Sequence, residues 1–366
     1  MAATVRVNFA LLLVSCLSGC QPSADPVRET PVTARAAPPA AATVGEPQYW
    51  WTSRRACLEA LERDPPLRDP SRVRVVTWNV RYFPDGAHGA GRLHGGVDVA
   101  WLACAITRLD PDVLAVQEFK AGERLQPALS QLLHALALST GSPWKFEGAR
   151  CGDAGDSHVG VLWNTSRAQL NKVRELPELL LGRRCDDNLQ PLLAAHFSFP
   201  SRLDFHLGVL HLVAGDRHFG ASLREKQRRN LAPLVRALRR DGRDRDLVLA
   251  GDWNSSGCSA GCDQELSASD ERRWLRRTLR RELGLKLVLP SIGCSDYYQG
   301  EPGLVDHFAV SSGLALPEEA VARVDGFCVE ARCQAAQSES EAFRRLSDHC
   351  PVVLDIPARG GPRQFR

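Results

Sequence analysis

The sequence predicts a layered α/β domain in which packed sheets carry helices on their outer sides. Two observations point there. Apolar, β-branched runs of strand length alternate with segments of helical apolar spacing. Between helical flanks, residues 157–200 hold several short strands in succession, separated by turn residues. No fixed-period repeat argues for a solenoid instead.

The elements follow in order. Residues 49–62 read as a short helix, stopped by Asp64-Pro65-Pro66. "RVRVVTWNVRYF" alternates and is β-branched, so 73–80 is a strand. Residues 97–109 have helical spacing and end at Asp110-Pro111. "DVLAVQEF" is a buried strand, and 123–138 form a leucine-rich amphipathic helix. After the β-rich middle, "DFHLGVLHLVAG" is another apolar strand, and 223–240 are helical. "DLVLAGDWNSSG" is a strand breaking into a loop. Residues 272–283 are helical, "GLVDHFAVSS" is a strand and "CPVVLDI" is the last. The domain is expected to fill 49–357, with 358–366 as a loose tail.

The first residues differ from the rest. "MAATVRVNFALLLVSCLSGC" has one basic residue, a short apolar run and then small residues, the layout of a secretory signal and too short for a membrane span. Its end, Leu17-Ser18-Gly19-Cys20, resembles a bacterial lipobox. That resemblance implies removal of residues 1–19, lipidation of Cys20, and a cell-envelope protein, periplasmic or surface-exposed, held at the membrane through that lipid. Residues 20–48, rich in Pro, Ala and Thr, form a tether.

Of 12 cysteines, Cys16 falls in the signal and Cys20 takes the lipid, leaving ten that an oxidising compartment would pair. Cys151–Cys185 and Cys328–Cys333 are the pairs expected from chain position. Cys258 and Cys262 either pair together or one of them takes Cys294. No CxxC or Cys/His spacing of the usual zinc kind appears. Apolar content of 44%, 24% charged residues and a net charge of +3 describe an ordinary globular protein and do not by themselves mark a nucleic-acid binder.

The chemistry gathers at strand ends. "VVTWN" delivers Asn79, "VLAVQE" Glu118, "LGVLH" His211, "LVLAGDWN" Asp252 and Asn254, and "GLVDH" Asp306 and His307. "RLSDHCPVVLDI" places Ser347, Asp348 and His349 just before the last strand. Those three neighbours cannot be a serine-hydrolase triad, because successive residues on an extended chain point to opposite faces. Singly, each polar residue has a structural explanation, such as a turn cap or a satisfied core histidine. Together they fit one chemistry. Hard oxygen ligands suit Mg2+, with Mn2+ as the alternative. Histidines with acidic or amide partners suit general acid–base work, and phosphoester hydrolysis needs both.

"TWNV", "QEF", "GDWN", "VDH" and "SDHCPV", in this order, resemble the endonuclease/exonuclease/phosphatase superfamily, as does "LGVLHLVAG" followed by Arg224, Gln227 and Leu231. The resemblance implies a four-layer α/β/β/α sandwich, as in pancreatic-type deoxyribonucleases, with the site at one end of the paired sheets. Glu118, with Asn79 and Asp348, would hold the metal. Asp252 would position or activate water, and Asn254 would bind phosphate. His349, oriented by Asp306, and His211 would serve acid–base or phosphate-stabilising roles. Two positions depart from the family. No tyrosine precedes "HVGVLWN", where Asp156 or His158 stands in, and Gln190 replaces an arginine before "PLLAAHF", with Arg183 and Arg184 nearby.

The expected activity is a metal-dependent phosphodiesterase, most simply a monomeric nuclease. A phospholipid or sphingomyelin hydrolase, a phosphomonoesterase and a non-catalytic binding module are the alternatives. "ERRWLRRTLRREL" would lay Arg272, Arg273, Arg276, Arg277, Arg280 and Arg281 on one helix side, a stripe suited to phosphates, to an anionic membrane or simply to solvent. The cluster Tyr49, Trp50, Trp51 would serve a lipid enzyme if exposed.

Overall fold

The computed structural model describes residues 49–358 apart from 68, 88–95, 153–155, 187–188, 241–244, 263 and 336–338. The signal peptide, Cys20, the tether and residues 359–366 of the tail lie outside the described residues.

One sheet runs β13 (Arg323–Val324), β14 (Val352–Pro357), β1 (Arg72–Phe83), β2 (Val113–Lys120), β4 (Ser157–Asn164), β3 (Trp144–Gly148). The other runs β5 (Gln169–Leu176), β6 (Leu192–Ser198), β7 (Asp204–His211), β8 (Leu247–Asp252), β12 (Asp306–Ser311), β9 (Leu285–Val288). A separate ribbon pairs β10 (Asp296–Tyr298) with β11 (Glu301–Gly303).

Side-chain alternation assembles these sheets into layers. From the second sheet, Leu193, Ala195, Leu207, Val209, Val248 and Ala250 face the first sheet in one continuous core. Their alternates Leu192, Ala194, Leu210, Leu247 and Leu249 pack outward against α5 (Leu231–Arg240) and α6 (Ala268–Thr278). The first sheet is covered by α1 (Arg54–Arg63), α2 (Val99–Leu109) and α3 (Leu125–Thr140), whose Trp101, Ile106, Leu132 and Leu136 are buried there. Two six-stranded sheets between helical layers are the expected architecture.

Boundaries moved where local chemistry intervened. The segment expected as one helix over 223–240 is two, α4 (His218–Arg229) and α5, broken at Asn230, with Pro233 placed in the first turn of the second. Past Thr278, the arginine-rich helix continues as a π turn, Leu279–Leu283, closed by Gly284 in the left-handed region. Of its six arginines, Arg273, Arg276, Arg277, Arg280 and Arg281 are exposed and Arg272 is not. Arg272 turns inward and donates to the carbonyls of Ser255 and Leu304, while Arg273 and Arg280 pair with Asp270 and Glu318. Trp50 and Trp51 are core, 6% and 2% exposed. Trp51 donates to Asp325 and sits edge-on to Trp78. They cannot be a lipid-inserting loop.

Five disulfides close the described domain. Cys151–Cys185 and Cys258–Cys262 are pairs considered above. Cys57–Cys104 was not foreseen and ties α1 to α2. The expected Cys328–Cys333 pair is wrong. Cys328 joins Cys350 and Cys333 joins Cys294. The reason is spatial. α7 (Phe327–Glu330) lies beside the segment before β14, so Cys328 meets the residue that follows His349. α8 (Glu341–Arg345) then returns the chain to that same strand. Peptide mapping without reduction is expected to recover the 328–350 and 294–333 linkages, and a 328–333 linkage would refute this arrangement. Breaking Cys328–Cys350 by a double serine substitution should cost about 2–4 kcal/mol, read as a lowered melting temperature.

Candidate active site at the end of the paired sheets

Strand direction makes the site. β1 and β2 are parallel, as are β7 and β8, so their carboxyl ends point the same way. β12 and β14 run antiparallel to β8 and β1, which brings their amino ends to that same edge. In register, His211 faces Asp252 and Asp252 faces Asp306. The last polar residue of each run therefore arrives at one place.

Glu118 gets there by a deviation. Gln117 pairs with Asn79 and shares its face, so Glu118 in a regular strand would point away. It adopts φ 63°, and the ladder shifts register on both sides of it. That bulge swings its carboxylate back, where Asn79 Nδ2 donates to Oε1 at 2.9 Å and the Tyr82 amide donates to Oε2 at 3.2 Å. Asn79 is held in turn, because its Oδ1 accepts from the Arg81 amide. Ahead of Asp252, Gly251 has φ 150°, and a Cβ there would lie 1.9 Å from the Leu210 carbonyl. The glycine of "GDWN" is required by the close approach of β7.

Asp252 is the hub. Its Oδ1 accepts from the Asn254 amide at 2.9 Å. Its Oδ2 faces Asn79 Nδ2 at 3.3 Å, His211 Nε2 at 3.5 Å and His349 Nε2 at 3.8 Å. Asn254, with φ 48°, is anchored through Nδ2 to the Leu212 carbonyl. His349 Nδ1 donates to Asp306 Oδ2 at 3.0 Å, and Ser295 Oγ donates to the same oxygen at 2.8 Å. Burial opposes a charged imidazole, yet Asp306, Asp252 and Asp348 outweigh it and hold His349 protonated, well above its ordinary range. Asp306 is buried, which pushes its carboxyl up to about 6 even against the pull of His349. Glu118 is pushed up to about 7, first by burial and then by the Asp348 carboxylate.

The eight candidate residues, Asn79, Glu118, His211, Asp252, Asn254, Asp306, Asp348 and His349, lie together at this edge. Ser347 bonds locally, donating to the Asn79 carbonyl at 2.6 Å and accepting from the His349 amide. His307 does not join them. One residue past Asp306, it points to the other face, bonds Ser255 Oγ and is driven down to about 3 by burial and Arg272. Gln190 reaches the site through His211, its Nε2 lying 3.4 Å from Nδ1 and donating to Ser157 Oγ. Arg183 and Arg184 are exposed, and His158 is buried beside the Cys151–Cys185 disulfide.

Three further residues went unforeseen. Ser295 orients Asp306, Arg81 lies 3.7 Å from Asp348, and Asp296 pairs with His349 across an antiparallel bridge. Ser295 and Asp296 stand in a segment without apolar periodicity, and Arg81 lies just past the stretch of β1 expected from the sequence. A fourth, Arg224, was singled out only as part of the family-like helix. Fully buried, it donates to the carbonyls of Val213, Gly215 and Gly257 and pairs with Glu271. It locks together the loops that follow His211 and Asp252.

The donors fit a divalent cation. Glu118 and Asp348 are hard carboxylate ligands whose mutual repulsion is already visible in the raised Glu118, and a dication there would relieve it. Asp252, Asp306 and His349 also bring ligand atoms within 4.8 Å of one another. There the protonated imidazole itself supplies the positive charge, so Glu118 and Asp348 are the better pair.

The endonuclease/exonuclease/phosphatase family model matches residues 76–349. Comparison with curated proteins by sequence finds no match. Among solved structures, the human Nocturnin catalytic domain with bound sulfate anion aligns at TM-score 0.50 and 16% identity, covering 79% of this chain and 95% of that one. D. rerio TDP2 complexed with single strand DNA product gives 0.49 and 16%, covering 78% and 98%. The 3' phosphatase NExo from Neisseria bound to product DNA hairpin gives 0.49 and 23%, covering 77% and 98%.

Proposed function

The chain belongs to the endonuclease/exonuclease/phosphatase family of phosphoester hydrolases, and from that premise we propose that it is a Mg2+-dependent phosphodiesterase acting on nucleic acid. The observation that carries the reading is Asp252 Oδ2, ringed by Asn79 Nδ2, His211 Nε2 and His349 Nε2 within 3.8 Å. A carboxylate surrounded by donors is placed to hold a water and take its proton.

His349, kept protonated by Asp306, stands on the donor side, toward phosphate oxygens or the leaving oxygen. His211 and Asn254 line the same pocket edge and add polar contacts. Glu118 and Asp348 would hold the cation, with Asn79 fixing Glu118. Bound there, a divalent cation offsets phosphate charge and polarises the phosphoryl group. The burial of Trp50 and Trp51 removes the aromatic cluster that would have favoured a lipid surface.

The test is plasmid nicking. Oxidised, purified protein should relax supercoiled DNA with Mg2+, and EDTA or His349→Ala should each stop it. No nicking by folded protein would end the DNA endonuclease reading, and RNA, sphingomyelin and phosphomonoesters would be assayed next with the same variant.

A further inference from the structure

The β10–β11 ribbon carries an aromatic side chain that the site described above does not use. Tyr298 is 71% exposed. Which way it points follows from register. Asp296 pairs with His349 on one side and with Gly303 on the other, both antiparallel. Residues directly opposite in antiparallel strands share a face, so Asp296 lies on the face of His349. Two residues on, Tyr298 returns to that same face, about 7 Å farther along the strand. Tyr297 between them points the other way and is buried, with its hydroxyl donating to the Gln334 carbonyl.

The ribbon is held in place. The Tyr297 amide donates to the Asp348 carbonyl at 3.0 Å, and the Cys350 amide donates to the Ser295 carbonyl at 2.7 Å. The Cys294–Cys333 disulfide pins its root. Gln299 and Gly300 both have positive φ, the two-residue turn that matches strand twist. Gly303 leaves room for Asp296, since a Cβ there would lie 2.3 Å from Asp296 Oδ1. A fixed ribbon thus presents one exposed ring at the rim of the catalytic face.

We propose that Tyr298 is a stacking platform for a nucleobase next to the scissile phosphate, which makes it a specificity-determining residue for ring-bearing phosphodiesters. Its cross-strand partner is Glu301, an exposed acid. A carboxylate there disfavours a phosphate and leaves the ring face for an uncharged planar group. Stacking on an aromatic side chain is sequence-tolerant, because every base has a π-face. The inference rests on the nuclease reading.

The experiment compares the full-length protein with Tyr298→Ala and Tyr298→Trp on two single-stranded oligonucleotides of equal length. One carries thymine at every position and the other carries abasic tetrahydrofuran throughout. Cleavage is followed with Mg2+, and binding by fluorescence anisotropy in the His349→Ala background. Tyr298→Ala should lower kcat/KM on the thymine strand about tenfold, mainly through KM, and Tyr298→Trp should restore it. On the abasic strand the ratio of wild type to Tyr298→Ala should fall toward one. An equal loss on both strands, or no loss on the thymine strand, overturns the platform while the nuclease reading stands. If wild-type protein neither cleaves nor binds either strand, the platform is overturned, and plasmid nicking decides the nuclease reading separately.

Discussion

Replacing His349 with alanine is expected to lower kcat by about 10²–10⁴-fold on any phosphodiester the enzyme accepts. The imidazole lies between two acids, with Nδ1 on Asp306 at 3.0 Å and Nε2 3.8 Å from Asp252. The substitution should also leave a thermodynamic mark. In the wild type, the raised pKa of His349 means that its stabilising charge is fully present below the unfolded value of about 6.5 and is lost as pH rises through the folded value. The loss of that cation by buried Asp306 is the same interaction seen from its other partner. The variant should therefore melt lower than wild type, with the gap widest at pH 5, where the charge of His349 is fully effective, and narrowing as pH rises through the folded value. No gap at pH 5 would contradict the Asp306–His349 pairing.

The second large effect belongs to Glu118. Glu118→Gln should abolish metal-supported activity, yet make the metal-free protein more stable at pH 8. Glu118 is displaced from 4.5 to about 7, so its ionised form is disfavoured in the fold. At ~1.4 kcal/mol per pH unit of displacement, the penalty approaches about 3 kcal/mol above pH 7 and vanishes below the unfolded value. An amide keeps the shape and removes the charge, while its NH2, set against Asn79 Nδ2 or the Tyr82 amide, offsets part of the gain. In EDTA at pH 8 the melting temperature should rise by a few degrees, and at pH 4 it should not. Wild-type affinity for Mg2+ should climb with pH up to about 7 and then level, since the ligand must shed its proton to bind. Retained activity in Glu118→Gln, or a lower melting temperature at pH 8, would remove Glu118 from the metal site. Opposite signs for stability and activity are what a site built from mutually repelling acids requires.

Much of this was legible in the chain. An apolar run of strand length that ends in a carboxylate or histidine states both an element and its terminus, so Asn79, His211, Asp252 and Asp306 could be placed together before their distances were known. Three kinds of information were not legible. Side-chain direction at Glu118 depends on a bulge, and nothing in "AVQEF" announces a residue with positive φ. Ser295 and Asp296 sit in "CSDYYQG", which lacks apolar alternation, so nothing there announces a short ribbon that begins at Asp296. Disulfide pairing is decided by proximity in space. Cys328 and Cys333 are close in sequence, yet each finds its partner in another segment, Cys350 and Cys294. Arg272 alone left the expected arginine stripe, for a related reason. Helical spacing gives the face on which Arg272 lies, but not the carbonyls of Ser255 and Leu304 that draw it inward.

The division of the site between two sheets has one more consequence. Asn79, Glu118, Asp348 and His349 come from one sheet and its flank, while His211, Asp252 and Asp306 come from the other. Near the reacting edge the two halves are joined covalently by Cys151–Cys185, which ties the loop before β4 to the loop before β6, yet Asp252 meets Asn79 and His349 across the sheets through side chains alone. Turnover is then a gauge of how the sheets are seated on each other. A slip of an ångström or so along their shared core would leave helix and strand content intact and still separate Asp252 from His349. On gentle heating or in dilute denaturant, catalysis should fade while circular dichroism still reports a folded protein, so this enzyme would sense the loosening of its own interior before optical probes do.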